Sequence, residues 1–490
     1  MSEAPLRVLL AASEIFPLAK TGGLADASAA LAAALARLGV EVHLVMPAYA
    51  PALDLVRELG PPAELPKING LMGGLLLTGK TPDSGLPISL VDFPTLYRDG
   101  GGLYVDAEGK DRPNNPERFA ALSHAACLLA LGELSLPRFD IVHCNDWHTG
   151  LIPLLLQARA GQAAPVSVFT IHNMAFQGQC PLERLPALGV HLDGEELGRV
   201  EYYGQASFLK AGLEFADEVT TVSPRYAEEI QTAEFGFGLE GVVRARSDHL
   251  TGILNGIDRS IWSPAVSPWL ARRYGPDSLD DKRACKRELQ RELGLTPDPG
   301  APLMVFIGRL TWQKMADVLL EVVPRYLEAE PDRQFVLLGT GDLTLEDGFR
   351  DLAEKHPGRV AILIGYTEDL AHRLHGGGDV LIHGSRFEPC GLTQLYAMQF
   401  GTIPVVRPVG GLADTVVDVR PETLAADTAT GFYFSEASVD GMLAGIDRAI
   451  DMYRQPEPWR RLQRAAMRQS FSWEDSAHAY LSVYRRGSRP

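Results

Sequence analysis

Five short stretches hold the residues that could do chemistry. Lys20-Thr21-Gly22-Gly23-Leu24-Ala25-Asp26 follows an apolar run and opens a helical pattern. Its glycines let the backbone approach a ligand closely. Free N–H groups at a helix start favour an anion, and Lys20 adds a positive charge. An ordinary strand-to-helix turn accounts for the same residues. The stretch is neither GxGxxG nor GxxxxGK[ST], so dinucleotide binding and a P-loop are both unsupported. His143-Cys144-Asn145-Asp146-Trp147-His148-Thr149-Gly150 ends an apolar run. Polar side chains beside an aromatic face suit a sugar. His143 and His148 lack the HExxH arrangement of a zinc site, and a satisfied buried histidine remains an alternative. Phe169–Gly178 places His172 where a parallel sheet would present a ligand group; alone, such a histidine is more often structural.

Two further stretches lie in the second half. Gly308-Arg309-Leu310-Thr311-Trp312-Gln313-Lys314 follows a strong strand pattern. Arg309 can grip two oxygens and Lys314 supplies a mobile point charge, which suits a diphosphate. A plain basic helix start is less comfortable, because helix N-termini disfavour cations without an anion. Ser385–Tyr396 sets Glu388 after another strand, with Pro389 expected in the first turn of a helix. The amides of Gly391, Leu392 and Thr393 would then meet an anion. Cys390 invites a nucleophile reading, but no base pairs with it in the sequence.

The elements that must position these residues alternate strand and helix. RVLLAAS at 7–13 leads into a helix with Leu24, Leu31, Leu35 and Leu38 on one face, stopped at Gly39. Strands are expected at VEVHLVMP, PISLVDF, FDIVHCND, PVSVFTIH and DEVTTVS. After a polar connection the pattern restarts with PLMVFIGRL, QFVLLGTG, RVAILIGY, DVLIHGS and TIPVVRP. Repeated β-α-β units imply parallel sheets. We expect two Rossmann-like domains, 1–256 and 257–471, facing across a cleft that holds the substrate. A last helix at 472–490, with Trp473, Tyr480, Leu481 and Tyr484 on one stripe, is a candidate to pack back on the first domain.

Composition narrows the partners. The chain has 490 residues, 46% hydrophobic and 22% charged, with a net charge of −16. Such an acidic surface disfavours nucleic acid and anionic membranes. No stretch approaches the ~20 apolar residues of a membrane helix. The start reads as a first strand rather than a signal peptide. Five scattered cysteines without a CxxC pair suit a reducing cytosol.

Taken in order, KTGGLAD, DWH, FTIHN, TVSP (221–224), GILNGID with Trp262, RLTxQK, GTGD (339–342), IGY (364–366), SRFEPCGLTQLYAM and GGLADTV (410–416) closely resemble the bacterial glycogen synthases and plant starch synthases. The resemblance runs nearly end to end and implies a GT-B fold. It implies retaining transfer of glucose from ADP-glucose to the 4-hydroxyl at the non-reducing end of an α-1,4-glucan, without cofactor or metal. By the same resemblance, Lys20 and Gly23 contact donor phosphates, and Arg309 and Lys314 neutralise the departing diphosphate. The Gly391–Thr393 amides, next to Cys390, also hold phosphate. Glu388 sits by the glucose, His172 lies beside the anomeric carbon, Asp146 and Asn255 line the sugar pocket, and Tyr366 stacks near adenine. Three positions depart from the family pattern: Met315 for Gly, His383-Gly384 for apolar-Pro, and Val409 for Thr or Ser. UDP-glucose or a non-glucan acceptor is the alternative reading. Transferases of small acceptors often carry a second glutamate where this chain has Tyr396.

Overall fold

The computed structural model describes residues 5–67, 73–98, 100–106, 109–134 and 136–487. The chain divides into two compact units, Met1–Gly256 with Trp473–Pro490, and Ile257–Ser472.

The first unit is built on a nine-stranded sheet among the described residues. Along the sheet the strands run Leu250–Gly252, Glu218–Thr221, Val166–Ile171, Ile141–Asn145, Arg7–Ala11, Glu41–Pro47, Pro87–Asp92, Leu75–Lys80 and Ala63–Glu64. The first seven pair in parallel and the last two are antiparallel. Ile141–Asn145 and Val166–Ile171 are buried at every position. That follows from helices covering both faces, so the strands read as continuous apolar runs rather than alternating ones. The helix Gly23–Arg37 follows the central strand and buries Leu24, Leu31 and Leu35.

The last helix, Trp473–Gly487, lies in this unit and packs against Gly23–Arg37. It buries Trp473, Tyr480, Val483 and Tyr484, whereas Leu481 is only half-buried. Tyr484 Oη meets His143 Nδ1 at 2.8 Å, and His143 Nε2 meets Thr170 Oγ1 at 2.6 Å. His143 is therefore a satisfied core histidine.

The second unit has a six-stranded sheet, parallel throughout. Its order is Val360–Ile364, Gln334–Gly339, Leu303–Ile307, Val380–His383, Ile403–Val406, Phe432–Tyr433. Counted from the unit's own first strand this is 3-2-1-4-5-6, the doubly wound Rossmann order. The direction of winding reverses between Leu303–Ile307 and Val380–His383. Loops leaving these neighbours on the same edge diverge and open a crevice, which is where such sheets bind ligands.

Candidate active site

In the second unit the reversal point brings together Arg309, Lys314 and Glu388. Lys314 leaves the loop after Leu303–Ile307, and its ammonium donates to Glu388 Oε2. Ser385 Oγ donates to the same oxygen at 2.8 Å, and His383 Nε2 lies 3.1 Å away. Burial alone would raise the Glu388 pKa. The charge of Lys314 and the hydrogen bonds outweigh it and hold the carboxyl well below its usual range. Arg309 is exposed, with Nη2 3.4 Å from Gln313 Oε1. It remains free to swing toward an anion.

Cross-ties fix the two loops. Arg386 N donates to Gln313 O at 2.8 Å, and Gln313 Nε2 donates to Phe387 O at 3.2 Å. The Arg386 guanidinium forks onto both oxygens of Asp317, at 2.9 and 2.8 Å. The turn at Gly410-Gly411 seats the glutamate loop from the other side. Gly411 N donates to Glu388 O at 3.0 Å, and a Cβ at Gly411 would lie 2.1 Å from Cys390 O. That approach is what the second glycine permits.

The helix after Glu388 spans Thr393–Gln399. Pro389 therefore lies in the loop and not in the helix's first turn. The chain must turn at Gly391 (φ +72) before it can wind. Gly391, Leu392 and Thr393 are half-buried at this junction, and Cys390 is buried. Tyr366 is half exposed after the strand Val360–Ile364. Tyr396, where small-acceptor enzymes carry a second glutamate, stacks on Trp262 at 3.8 Å. Met315 adopts the left-handed conformation (φ +53) and is fully buried.

The first unit also has a reversal, between Arg7–Ala11 and Ile141–Asn145. Asp146 follows the latter at φ +61, a strained conformation for a residue with a side chain. Burial raises its pKa to about 7, against hydrogen bonds from the amides of Asn173, Trp147 and His172. Its Oδ1 is buried with no partner among the described residues. His172 Nε2 meets Asn145 Oδ1 at 2.9 Å, while Asn145 Nδ2 donates to Ala11 O at 3.1 Å. The second bond orients the amide so that its oxygen faces His172. His172 therefore carries its proton on Nε2 and leaves Nδ1 as an acceptor. Desolvation lowers its pKa to about 3, so the ring is neutral. Lys20 pairs with Asp26 at 2.8 Å, and Gly23 is the first residue of its helix. Asn255 is buried at the end of this unit.

Sequence reasoning passed over Glu14, Asn145 and Tyr104. Glu14 is buried, accepts hydrogen bonds from Thr21, and has a pKa raised by burial to about 7. Tyr104 stacks on His148 at 4.6 Å, and Trp147 stacks on the same histidine at 4.1 Å. Glu14 had one readable signal: a carboxylate amid apolar residues just past the end of a central strand.

Two Rossmann-like units, with cations and a carboxylate at one reversal point and sugar-suited polar groups at the other, define a glycosyltransferase of the GT-B class. The starch synthase catalytic domain family matches residues 7–245, and glycosyl transferases group 1 matches residues 290–467. A glycogen synthase of Burkholderia thailandensis is 50% identical over 97% of this chain and 90% of its own. That of Paramagnetospirillum magneticum is 45% identical over 98% and 97%. The chain belongs to the glycogen synthase family. Among solved structures, the catalytic domain of starch synthase IV from Arabidopsis thaliana, bound to ADP and acarbose, is similar with a TM-score of 0.87. It is 33% identical and covers 99% of this chain and 100% of that one. A sucrose-phosphate synthase from Thermosynechococcus elongatus shares the fold, with a TM-score of 0.59 and 17% identity, covering 98% of each chain.

Proposed function

We propose that this chain transfers glucose, with retention, from ADP-glucose to the 4-hydroxyl at the non-reducing end of an α-1,4-glucan. The observation that carries the reading is the Lys314–Glu388 pair at the second unit's reversal point, with Arg309 exposed on the same loop as Lys314. A sugar losing a diphosphate builds negative charge on the leaving group and positive charge on the ring. Arg309 and Lys314 meet the first, and the ionised Glu388 meets the second. Such fixed charges stabilise the transition state more than the ground state. The amides from Gly391 to Thr393 add phosphate donors, and Tyr366 offers a face to adenine. In the first unit, Lys20 and Gly23 serve the donor phosphates. His172 Nδ1 accepts a hydrogen bond from a glucose hydroxyl, and Asp146 and Asn255 bind others.

The acceptor proton goes to the leaving phosphate in a front-face, internal-return step, with no covalent glucosyl-enzyme; trapping one would overturn that step. Five buried free cysteines support a reducing cytoplasm as the place of action. No helix among the described residues is long and apolar enough to cross a membrane.

The test is incubation with glycogen and radiolabelled ADP-glucose or UDP-glucose, with EDTA present. We expect label in glycogen from ADP-glucose, unaffected by the chelator. Label from neither donor sinks the reading, and preference for UDP-glucose sinks its donor assignment.

A further inference from the structure

His383 stands at the second unit's reversal point, beside Glu388 and Lys314. It is the last residue of the strand Val380–His383 and is buried. Its Nε2 lies 3.1 Å from Glu388 Oε2 and 3.3 Å from Lys314 Nζ. Its Nδ1 is buried with no partner among the described residues. These contacts place the imidazole proton. Nε2 faces an acceptor, Glu388 Oε2, at 3.1 Å and a donor, the Lys314 ammonium, at 3.3 Å, and the nearer carboxylate favours a proton on it. A proton on Nδ1 would be a buried donor with nothing to bond, a rarer and costlier orphan than an acceptor. The arrangement left is Nε2–H donating to Glu388. Burial first, and then Lys314, keep the ring neutral, while Glu388 opposes them; these two are the charged groups that face it.

The next residue in the chain is closely packed. A Cβ on Gly384 would lie 2.8 Å from Met442 Cε, 3.4 Å from Met315 Cβ and 3.5 Å from Met315 Sδ. The left-handed Met315 thus fills the space that the missing side chain of Gly384 leaves. The departures at 315 and 384 form one packed arrangement next to His383.

Lys314 has two anions to serve. It is committed to Glu388 in the structure, and a diphosphate would compete for the same ammonium. Glu388 is buried, so losing that cation would leave its charge poorly compensated. We propose that His383 is a positioning residue, whose Nε2–H holds the Glu388 carboxylate in place when the donor's diphosphate claims the ammonium of Lys314. Ser385 Oγ assists on the same oxygen. Glu388 Oε1, which takes none of these three contacts, is thereby kept for the sugar.

The inference rests on the donor reading above, and its test has two arms. The first is ¹⁵N NMR of the histidine rings in the full chain, free and saturated with ADP, with His383 identified by its loss in His383→Gln. The expected signal is the neutral Nε2–H form in both states; the Nδ1–H form overturns the proposal. The second compares His383→Leu, which keeps the volume without a donor, with His383→Gln, whose amide nitrogen reaches where Nε2 did. We expect His383→Leu to lower kcat roughly 10–100-fold while its Kd for ADP stays within about twofold of the parent. His383→Gln should recover most of that loss. Unchanged kcat in His383→Leu, or equal losses in both variants, overturns the proposal. A parent that transfers no glucose sinks the functional reading, and the NMR arm still decides this one.

Discussion

The Lys314–Glu388 pair does two things in the resting protein: it neutralises a buried carboxylate and stores a cation where a diphosphate would arrive. Lys314→Ala removes both effects. We expect kcat to fall by about 10²–10³-fold, as for loss of other preorganised charge-stabilising groups. The pH profile should change as well. With Lys314 gone, the largest influence holding the Glu388 pKa down is lost while burial remains, so the pKa climbs and the variant's residual rate should rise with pH over a range where the parent is flat. A flat profile in Lys314→Ala would mean that the ion pair does not set the ionisation of Glu388.

Asp146 shows the opposite case, a carboxyl that burial raises from 3.8 to about 7. The folded protein keeps its proton up to about pH 7, whereas the unfolded chain releases it near 4. The stabilisation is full below pH 3.8 and is lost as pH rises through about 7, a difference of a few kcal/mol, roughly. Asp146→Asn removes the titration. In thermal unfolding it should be more stable than the parent at pH 8 and no more stable at pH 4, with glucosyl transfer impaired at both. Equal shifts at the two pH values would contradict the raised pKa of this buried carboxyl.

At the scale of elements, the glutamate loop at the second unit's reversal point is seated against the closely approaching backbone of Gly410-Gly411. Gly411→Ala would push a methyl to 2.1 Å from Cys390 O, so the loop from Glu388 to Gly391 must move. We expect a destabilisation of about 1–3 kcal/mol and weakened ADP binding measured by calorimetry. A variant with parental ADP affinity would show that the amides there do not touch the diphosphate.

These elements differ in how openly the sequence displays them. The alternation of apolar runs and helical stripes exposes the parallel sheets, because strands buried on both faces have nothing polar to interrupt them. Arg309, Lys314 and Glu388 were readable because each follows such a run. The role of Asn145 was not, since it depends on which strands become neighbours: Asn145 matters through Ala11, far away in the chain. The start of the helix at Thr393 cannot be read from Pro389, because the chain first turns at Gly391 in the left-handed region. His383 stood out only as a departure until the distances to Lys314 and Glu388 gave it a task.

For the whole molecule, the first unit is made from both ends of the chain. Trp473, Tyr480, Val483 and Tyr484 pack into the core that begins at Val8. Removing residues 473–490 should expose that surface and leave His143 Nδ1 without Tyr484. We expect the shortened chain to bind a hydrophobic dye and to lose its first-unit transition in calorimetry. A shortened chain with the parental unfolding profile would contradict this packing.

That arrangement orders events at the ribosome. The sheet of the first unit emerges early, yet the helix that covers part of it is translated only after residues 257–472. Through the synthesis of residues 257–472 the nascent sheet must wait with apolar surface bare, so the second unit can finish folding before the first. Translation speed across that stretch, and chaperones that shield an uncovered sheet, should therefore govern the yield of this protein more than the stability of the finished fold does.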